Sequence, residues 1–131
     1  MVQVKFTARD LRLLHFQAKL AAEVELMAVV RKVERGEGDF ELLDVRDADA
    51  YAVGHIPGAI SLPLAEIPVR APALPKDRRY VAYCWRQTCH LAARAGVELT
   101  ELGFDVQELN AGWREWTSFS YPVETGMRKP G

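Results

Sequence analysis

Apolar positions fall at helical spacing in the first third of the chain and in short runs thereafter. Thr7 and Asp10 have the form of a capping box, with aspartate in the place usually taken by glutamate or glutamine, and Leu11, Leu14, Ala18 and Ala21 follow as one stripe. A helix is predicted over about Ala8 to Ala21. A second stripe, Leu26, Val29, Val30 and Val33, runs to Gly36 and Gly38, with Arg31, Lys32 and Arg35 where a helix C-terminus favours cations. Both stripes read as faces that pack on a core. Phe40 to Val45 is a short, mainly apolar run closed by charge, the pattern of a buried strand. Asp47 can cap a short helix reaching Tyr51 or Val53, and Gly54, Pro57 and Gly58 turn the chain into a possible edge strand, Ala59 to Leu62. Pro68, Pro72 and Pro75 mark a surface connection before another buried strand, Tyr80 to Tyr83. A helix with Leu91, Ala95, Leu99 and Leu102 on one face ends at Gly103, Val106 to Leu109 supplies a further strand, and Gly112 leads into a short helix with Trp113 and Trp116. This alternation predicts an α/β fold, a mainly parallel sheet with helices on both faces.

Composition narrows the picture. At 131 residues the chain has room for one domain, and 49% hydrophobic with 27% charged residues is the balance of a soluble globular fold rather than a disordered one. The formal charge of -1 speaks against a surface built to trap nucleic acid, and no apolar run approaches the roughly 18 residues of a membrane span. Neither nucleic acid nor membrane is an expected partner. Met1 to Val24 carries Arg9, Asp10, Arg12, His15 and Lys19 in place of a signal peptide's apolar stretch, so a cytoplasmic location is expected. The two cysteines, Cys84 and Cys89, fit a reducing compartment and fall short of the usual four ligands of a structural zinc. Neither a metal nor a cofactor is expected, and one thiol becomes the candidate for chemistry.

Ligands of open α/β sheets bind beyond the carboxyl ends of strands, and Cys84 stands at such an end with a helix starting just after it. Loop and helix amides converging there, with the helix dipole, are expected to draw the Cys84 pKa below the roughly 8.5 of a free thiol. Pro68 to Arg94 holds Arg70, Lys76, Arg78, Arg79, Arg86 and Arg94 against Asp77 alone, an excess of +5 that favours an anionic substrate. Within that excess, Lys76, Arg78 and Arg79 read as solvated loop charges.

Three ordered motifs carry a resemblance. Asp44, Val45 and Arg46 with Tyr51, Gly54, His55, Ile56, Pro57, Gly58 and Ala59 resemble the N-terminal signature of the rhodanese superfamily. Tyr83, Cys84 and the loop to Cys89 occupy the place of its active-site loop. Leu102, Gly103, Phe104, Val106, Leu109, Gly112, Trp113, Trp116, Tyr121, Pro122 and Val123 look like its C-terminal signature. The resemblance implies a rhodanese-like three-layer domain over 22–124, with a helical extension over 1–21 and a tail over 125–131. It also implies sulfurtransfer: one cysteine takes sulfane sulfur from a small anionic donor such as thiosulfate, becomes a persulfide, and passes the outer sulfur to a thiol, cyanide or protein acceptor. Cys84 matches the family's nucleophile by position, and Trp85, Arg86, Gln87, Thr88 and Cys89 complete a six-residue loop. That length favours sulfur over the phosphate chemistry of related proteins with a loop one residue longer.

Many relatives place a glycine in this loop and this chain has none, so strain or another loop shape is expected. Alanine also replaces the first glycine of the common pair before Trp113. Trp85 and Arg86 are expected to point outward, Trp85 at the rim or against a neighbouring loop and Arg86 toward an anionic donor. Cys89 reads as a packing residue at the helix start or as a disulfide partner of Cys84. His90 reads as a helix cap or a solvent contact. Asp44 and Arg46, two apart at a strand end, are expected to form an ion pair or loop-supporting bond, and His55 to bond backbone rather than metal. The alternative to sulfurtransfer is a non-catalytic binding or redox-sensing module using Cys84 and Cys89.

Overall fold

The computed structural model describes residues 5–127. In chain order its elements are α1 (Ala8–Ala22), β1 (Glu23–Val24), α2 (Leu26–Arg35), β2 (Glu41–Asp44), α3 (Ala48–Val53), β3 (Ile60–Ser61), α4 (Ile67–Arg70), β4 (Arg79–Tyr83), α5 (Leu91–Glu101), β5 (Asp105–Leu109) and α6 (Trp113–Ser118). The strands join in the order β1-β5-β4-β2-β3, and every neighbouring pair is parallel. All their carboxyl ends therefore open on one edge, where such sheets bind ligands.

Side chains alternate across each strand. Leu42, Val81 and Tyr83 face one side, packing with Val29 and Val30 of α2, Tyr51 of α3 and Trp116 of α6. Leu43, Tyr80, Ala82 and Cys84 face the other, packing with Ile67 of α4 and with Ala95 and Leu99 of α5. Three layers result, as the alternation of strands and helices predicts.

Local chemistry sets the helix ends. At α1 the Asp10 amide donates to Thr7 Oγ1 at 3.1 Å while the Thr7 amide donates to Asp10 Oδ2 at 2.9 Å, the reciprocal bonds of a capping box. α2 stops at Gly36, whose φ of 69° is left-handed and suits glycine. Asp47 Oδ1 accepts from the Ala50 amide at 2.8 Å and starts α3.

Three elements depart from expectation. α1 forms where predicted, but none of its residues is buried, and Leu20 is 82% exposed. It precedes the edge strand β1 and is tied there by Gln107 Nε2 donating to the Ala21 carbonyl and by a Lys19–Glu23 ion pair, so its stripe does not reach the core. The proline-marked stretch is not a plain connection: 3-10 turns at Leu64–Glu66 and Ala71–Ala73 flank α4, and Ile67 and Ala71 are wholly buried. Pro68 and Pro72 sit in first turns, where a missing N–H leaves no bond unmade. β1, only two residues long, pairs with β5 and carries no sequence signal of its own.

Burial separates two leucines clearly. Leu99→Ala, at a 1% exposed site, is expected to lower unfolding free energy by about 2–5 kcal/mol. Leu20→Ala is expected to change it by no more than about 0.5 kcal/mol, and urea unfolding of the two variants checks both values.

Candidate active site

Parallel pairing sets Asp44 of β2 level with Tyr83 of β4, so the chain leaves both strands at one place. A buried polar cluster forms there. The Arg46 guanidinium donates from Nη2 to Asp44 Oδ2 at 2.7 Å and from Nε to Oδ1 at 3.0 Å, and Nη2 also reaches the Gly54 carbonyl at 2.7 Å. Asp44 is fully buried and Arg46 1% exposed. The Tyr83 hydroxyl donates to Asp44 Oδ2 at 2.8 Å and accepts from the Ile56 amide at 3.0 Å. Burial, with the charge of Asp44, pushes the Tyr83 phenol well above its ordinary pKa and keeps it a donor. The Arg46 guanidinium carbon lies 4.7 Å from the ring of Trp85 and 4.7 Å from that of Trp113, at cation–π range of both. The expected ion pair is present, and it reaches the loop through Trp85.

Cys84 follows β4 directly and is 2% exposed. Its Sγ lies 3.5 Å from the Cys89 carbonyl and 3.9 Å from that of Arg86, as a thiol donor does, and Cys89 packs against the same buried cluster. Here the structure corrects the sequence reading of Cys84. Burial, reinforced by the bond with Cys89, pushes its pKa up to about 11, while the Ala92 and Arg86 amides pull the other way without prevailing. Burial also works against the Cys89 thiolate, but the bond from Cys84, the amides of Leu91 and Trp85 and the charge of Arg86 bring its pKa below the ordinary value. The cradle's amides are divided between two sulfurs, and Cys89 is the more acidic.

The glycine-free loop needs no left-handed residue. Its turn closes with the Cys89 amide donating to the Arg86 carbonyl at 3.0 Å, and among the described residues Ser120 is the non-glycine position with positive φ. The start of α6 braces the loop instead. The Trp113 amide donates to the Cys84 carbonyl at 2.9 Å, the Arg114 amide to the Trp85 carbonyl at 2.7 Å, and Glu115 Oε1 accepts from the Gln87 amide at 2.7 Å. Gly112 permits this approach, since a Cβ there would stand 2.4 Å from the Arg86 nitrogen. Of the expected glycine pair, the second is the one the contact requires.

Trp85, Arg86, Gln87 and Thr88 are exposed and Cys89 is half-buried. Trp85, Arg86 and Arg114 line a cleft of about 370 Å³ at the loop. Arg114 was not singled out from sequence; its position two residues past Gly112 is the one local signal. Lys76, Arg78 and Arg79 lie at the other end of β4, which at about 3.3 Å per residue is roughly 16 Å from Cys84, beyond a Debye length of about 8 Å. Those three charges are therefore screened from the loop, where Arg86 and Arg114 line the cleft. His90 is exposed at the α5 cap position and makes no side-chain capping bond. His55 is buried, stacked on Tyr51 with ring centroids 3.6 Å apart, and donates from Nδ1 to the Tyr51 carbonyl at 2.7 Å, as expected of a backbone-bonding histidine. Its Nε2 lies 3.0 Å from Glu124 Oε1. Among the described residues no group of three or more histidine, cysteine or acidic side chains could hold a metal, and no helix is long and apolar enough to cross a membrane.

With the parallel three-layer sheet and the cysteine loop between β4 and α5 in place, the sequence model of the rhodanese-like domain matches residues 28–119. The chain belongs to that family. The HTH-type transcriptional regulator Rv0324 of Mycobacterium tuberculosis is 40% identical over 92 residues, 70% of this chain and 41% of the regulator. The chain thus spans well under half of that relative. Thiosulfate sulfurtransferase GlpE of Pseudomonas fluorescens is 33% identical over 90 residues, 68% of this chain and 80% of that protein. Among solved structures, the BH2092 protein of Bacillus halodurans superposes with a TM-score of 0.79 at 32% identity, covering 89% of this chain and 86% of that one.

Two outcomes test this geometry. Gly112→Ala is expected to push the loop away, lowering stability by about 1–3 kcal/mol and opening Cys84 to thiol reagents; an unchanged urea midpoint and labelling rate would contradict it. Iodoacetamide at neutral pH is expected to label Cys89 first. Labelling of Cys84 should then rise about tenfold per pH unit until near its pKa of about 11, read by peptide mass spectrometry.

Proposed function

We propose that the chain is a sulfurtransferase in which Cys84 takes sulfane sulfur from a small anion of the thiosulfate class and carries it as a persulfide. The supporting observation is the placement of Cys84: buried at the carboxyl end of β4, its sulfur against the carbonyl of a cysteine with the more acidic thiol, beside a cleft lined by Arg86 and Arg114. In the first half-reaction the Cys84 proton passes to the Cys89 thiolate as Cys84 Sγ bonds the outer sulfur of the donor. The sulfur–sulfur bond of thiosulfate breaks and sulfite leaves with the electron pair. Arg86 and Arg114 attract the dianion. A thiol, cyanide or protein acceptor then takes the outer sulfur and returns Cys84. The working unit is the 22–124 domain in a reducing cytoplasm, with 1–21 as an extension and 125–131 as a tail; residues 1–4 and 128–131 lie outside the described part of both. Neither metal nor cofactor enters this scheme.

A second reading, a binding or redox-sensing module, draws on the closeness of Cys84 and Cys89 and on the similarity to a transcriptional regulator. The two readings part on one measurement. With thiosulfate alone, sulfurtransfer releases sulfite from the wild-type protein and not from Cys84→Ser, whereas a sensing module releases none from either. Absence of sulfite from the wild type would sink the first reading.

A further inference from the structure

Once sulfur is on Cys84, Cys89 has a second role open to it. Cys89 packs against the buried cluster that holds Cys84, and the Cys89 carbonyl lies 3.5 Å from Cys84 Sγ. Disulfides form where Cα atoms lie within about 7 Å, and a cysteine whose own carbonyl already meets Cys84 Sγ across a six-residue loop needs no large backbone movement to bring the sulfurs together. An external thiol, by contrast, must approach a sulfur held at a 2% exposed residue.

Building on the sulfurtransfer reading, we propose that Cys89 resolves the Cys84 persulfide, giving a Cys84–Cys89 disulfide and free hydrosulfide. The Cys89 sulfur attacks Cys84 Sγ and forms the new sulfur–sulfur bond. The bond from Sγ to the outer sulfur breaks, and that sulfur leaves with the electron pair, carrying the Cys89 proton as hydrosulfide. Sulfane sulfur is the oxidant and is reduced to sulfide, and the two cysteines together supply the two electrons. Two monothiols, or one dithiol, then reduce the disulfide and close the cycle. The chain would thus reduce sulfane sulfur as well as transfer it.

The point of attack follows from the leaving groups. Attack on the outer sulfur would move the persulfide to Cys89 and expel Cys84 as a thiolate, which its burial disfavours. Hydrosulfide is the conjugate base of a stronger acid, and the weaker base leaves faster in exchange of this kind.

The test loads reduced wild-type protein with one equivalent of thiosulfate, without added thiol, and follows sulfite, sulfide and intact mass. The expected result is sulfite, then one hydrosulfide per chain, and a final mass lower by two hydrogens. Cys89→Ser, once loaded, should keep one added sulfur and lose sulfide release. Wild-type protein that releases sulfite but keeps the added sulfur, on either cysteine, overturns the resolving role and leaves sulfurtransfer standing. Wild-type protein that releases no sulfite removes both. Sulfide release from loaded Cys89→Ser at the wild-type rate also overturns the resolving role, and the wild-type result decides whether or not that variant folds.

Discussion

The ion pair between Asp44 and Arg46 holds the site to the sheet. Both groups are withdrawn from water, and such a pair stands only when the remaining polar atoms are matched. Here they are: Asp44 accepts from Tyr83 as well as from Arg46, and Arg46 donates to Gly54 and faces two indole rings. One cluster thereby joins the end of β2, the residue before Cys84, the turn after α3, the loop's tryptophan and the first residue of α6. Removing one partner of a buried pair typically costs about 3–5 kcal/mol because the other charge is left unmatched. At this position the cost would fall where the loop is anchored.

Two thiols meeting in one cradle change what the cradle does. A lone cysteine at a helix start collects every amide and becomes a stable anion. In this chain the amides are shared, Cys84 Sγ lies near two carbonyl oxygens, and the proton stays with the deeper sulfur while the half-buried one carries the acidity. A buried, protonated thiol and a more acidic one are thus neighbours. Cys89, read from sequence as packing or as a disulfide partner, supplies the acidity that Cys84 alone was expected to have.

Much of the fold was legible because its signals are local. The Thr7–Asp10 box, the Gly36 stop, the Asp47 cap and the alternation of strands with helices each depend on a few adjacent residues. The Asp44–Arg46 pair was readable for the same reason, since period-two geometry on a strand end settles it. What escaped depends on distant segments. Whether the α1 stripe meets a core is decided by where the sheet ends. The acidity of Cys84 turns on how deeply the folded loop buries its thiol and on the nearness of Cys89, and the place of Arg114 on the meeting of residue 86 with residue 112. The proline stretch misled in another way: proline ends helices and also begins them, and without the buried Ile67 and Ala71 in view the two uses look alike.

The bracing of the loop by α6 separates two kinds of variation. Cys84 and Trp85 are fastened through their carbonyls and Gln87 through its amide, so the fastening on the loop side is main chain. Side chains at 86, 87 and 88 are free of that task and face solvent. Substitutions among them can change the outer surface of the loop while Cys84 keeps its place. Gly112 has no such latitude, being fixed by the space its missing side chain leaves. Drift at the loop's outer face is therefore open to descendants of this chain in a way that drift at its brace is not.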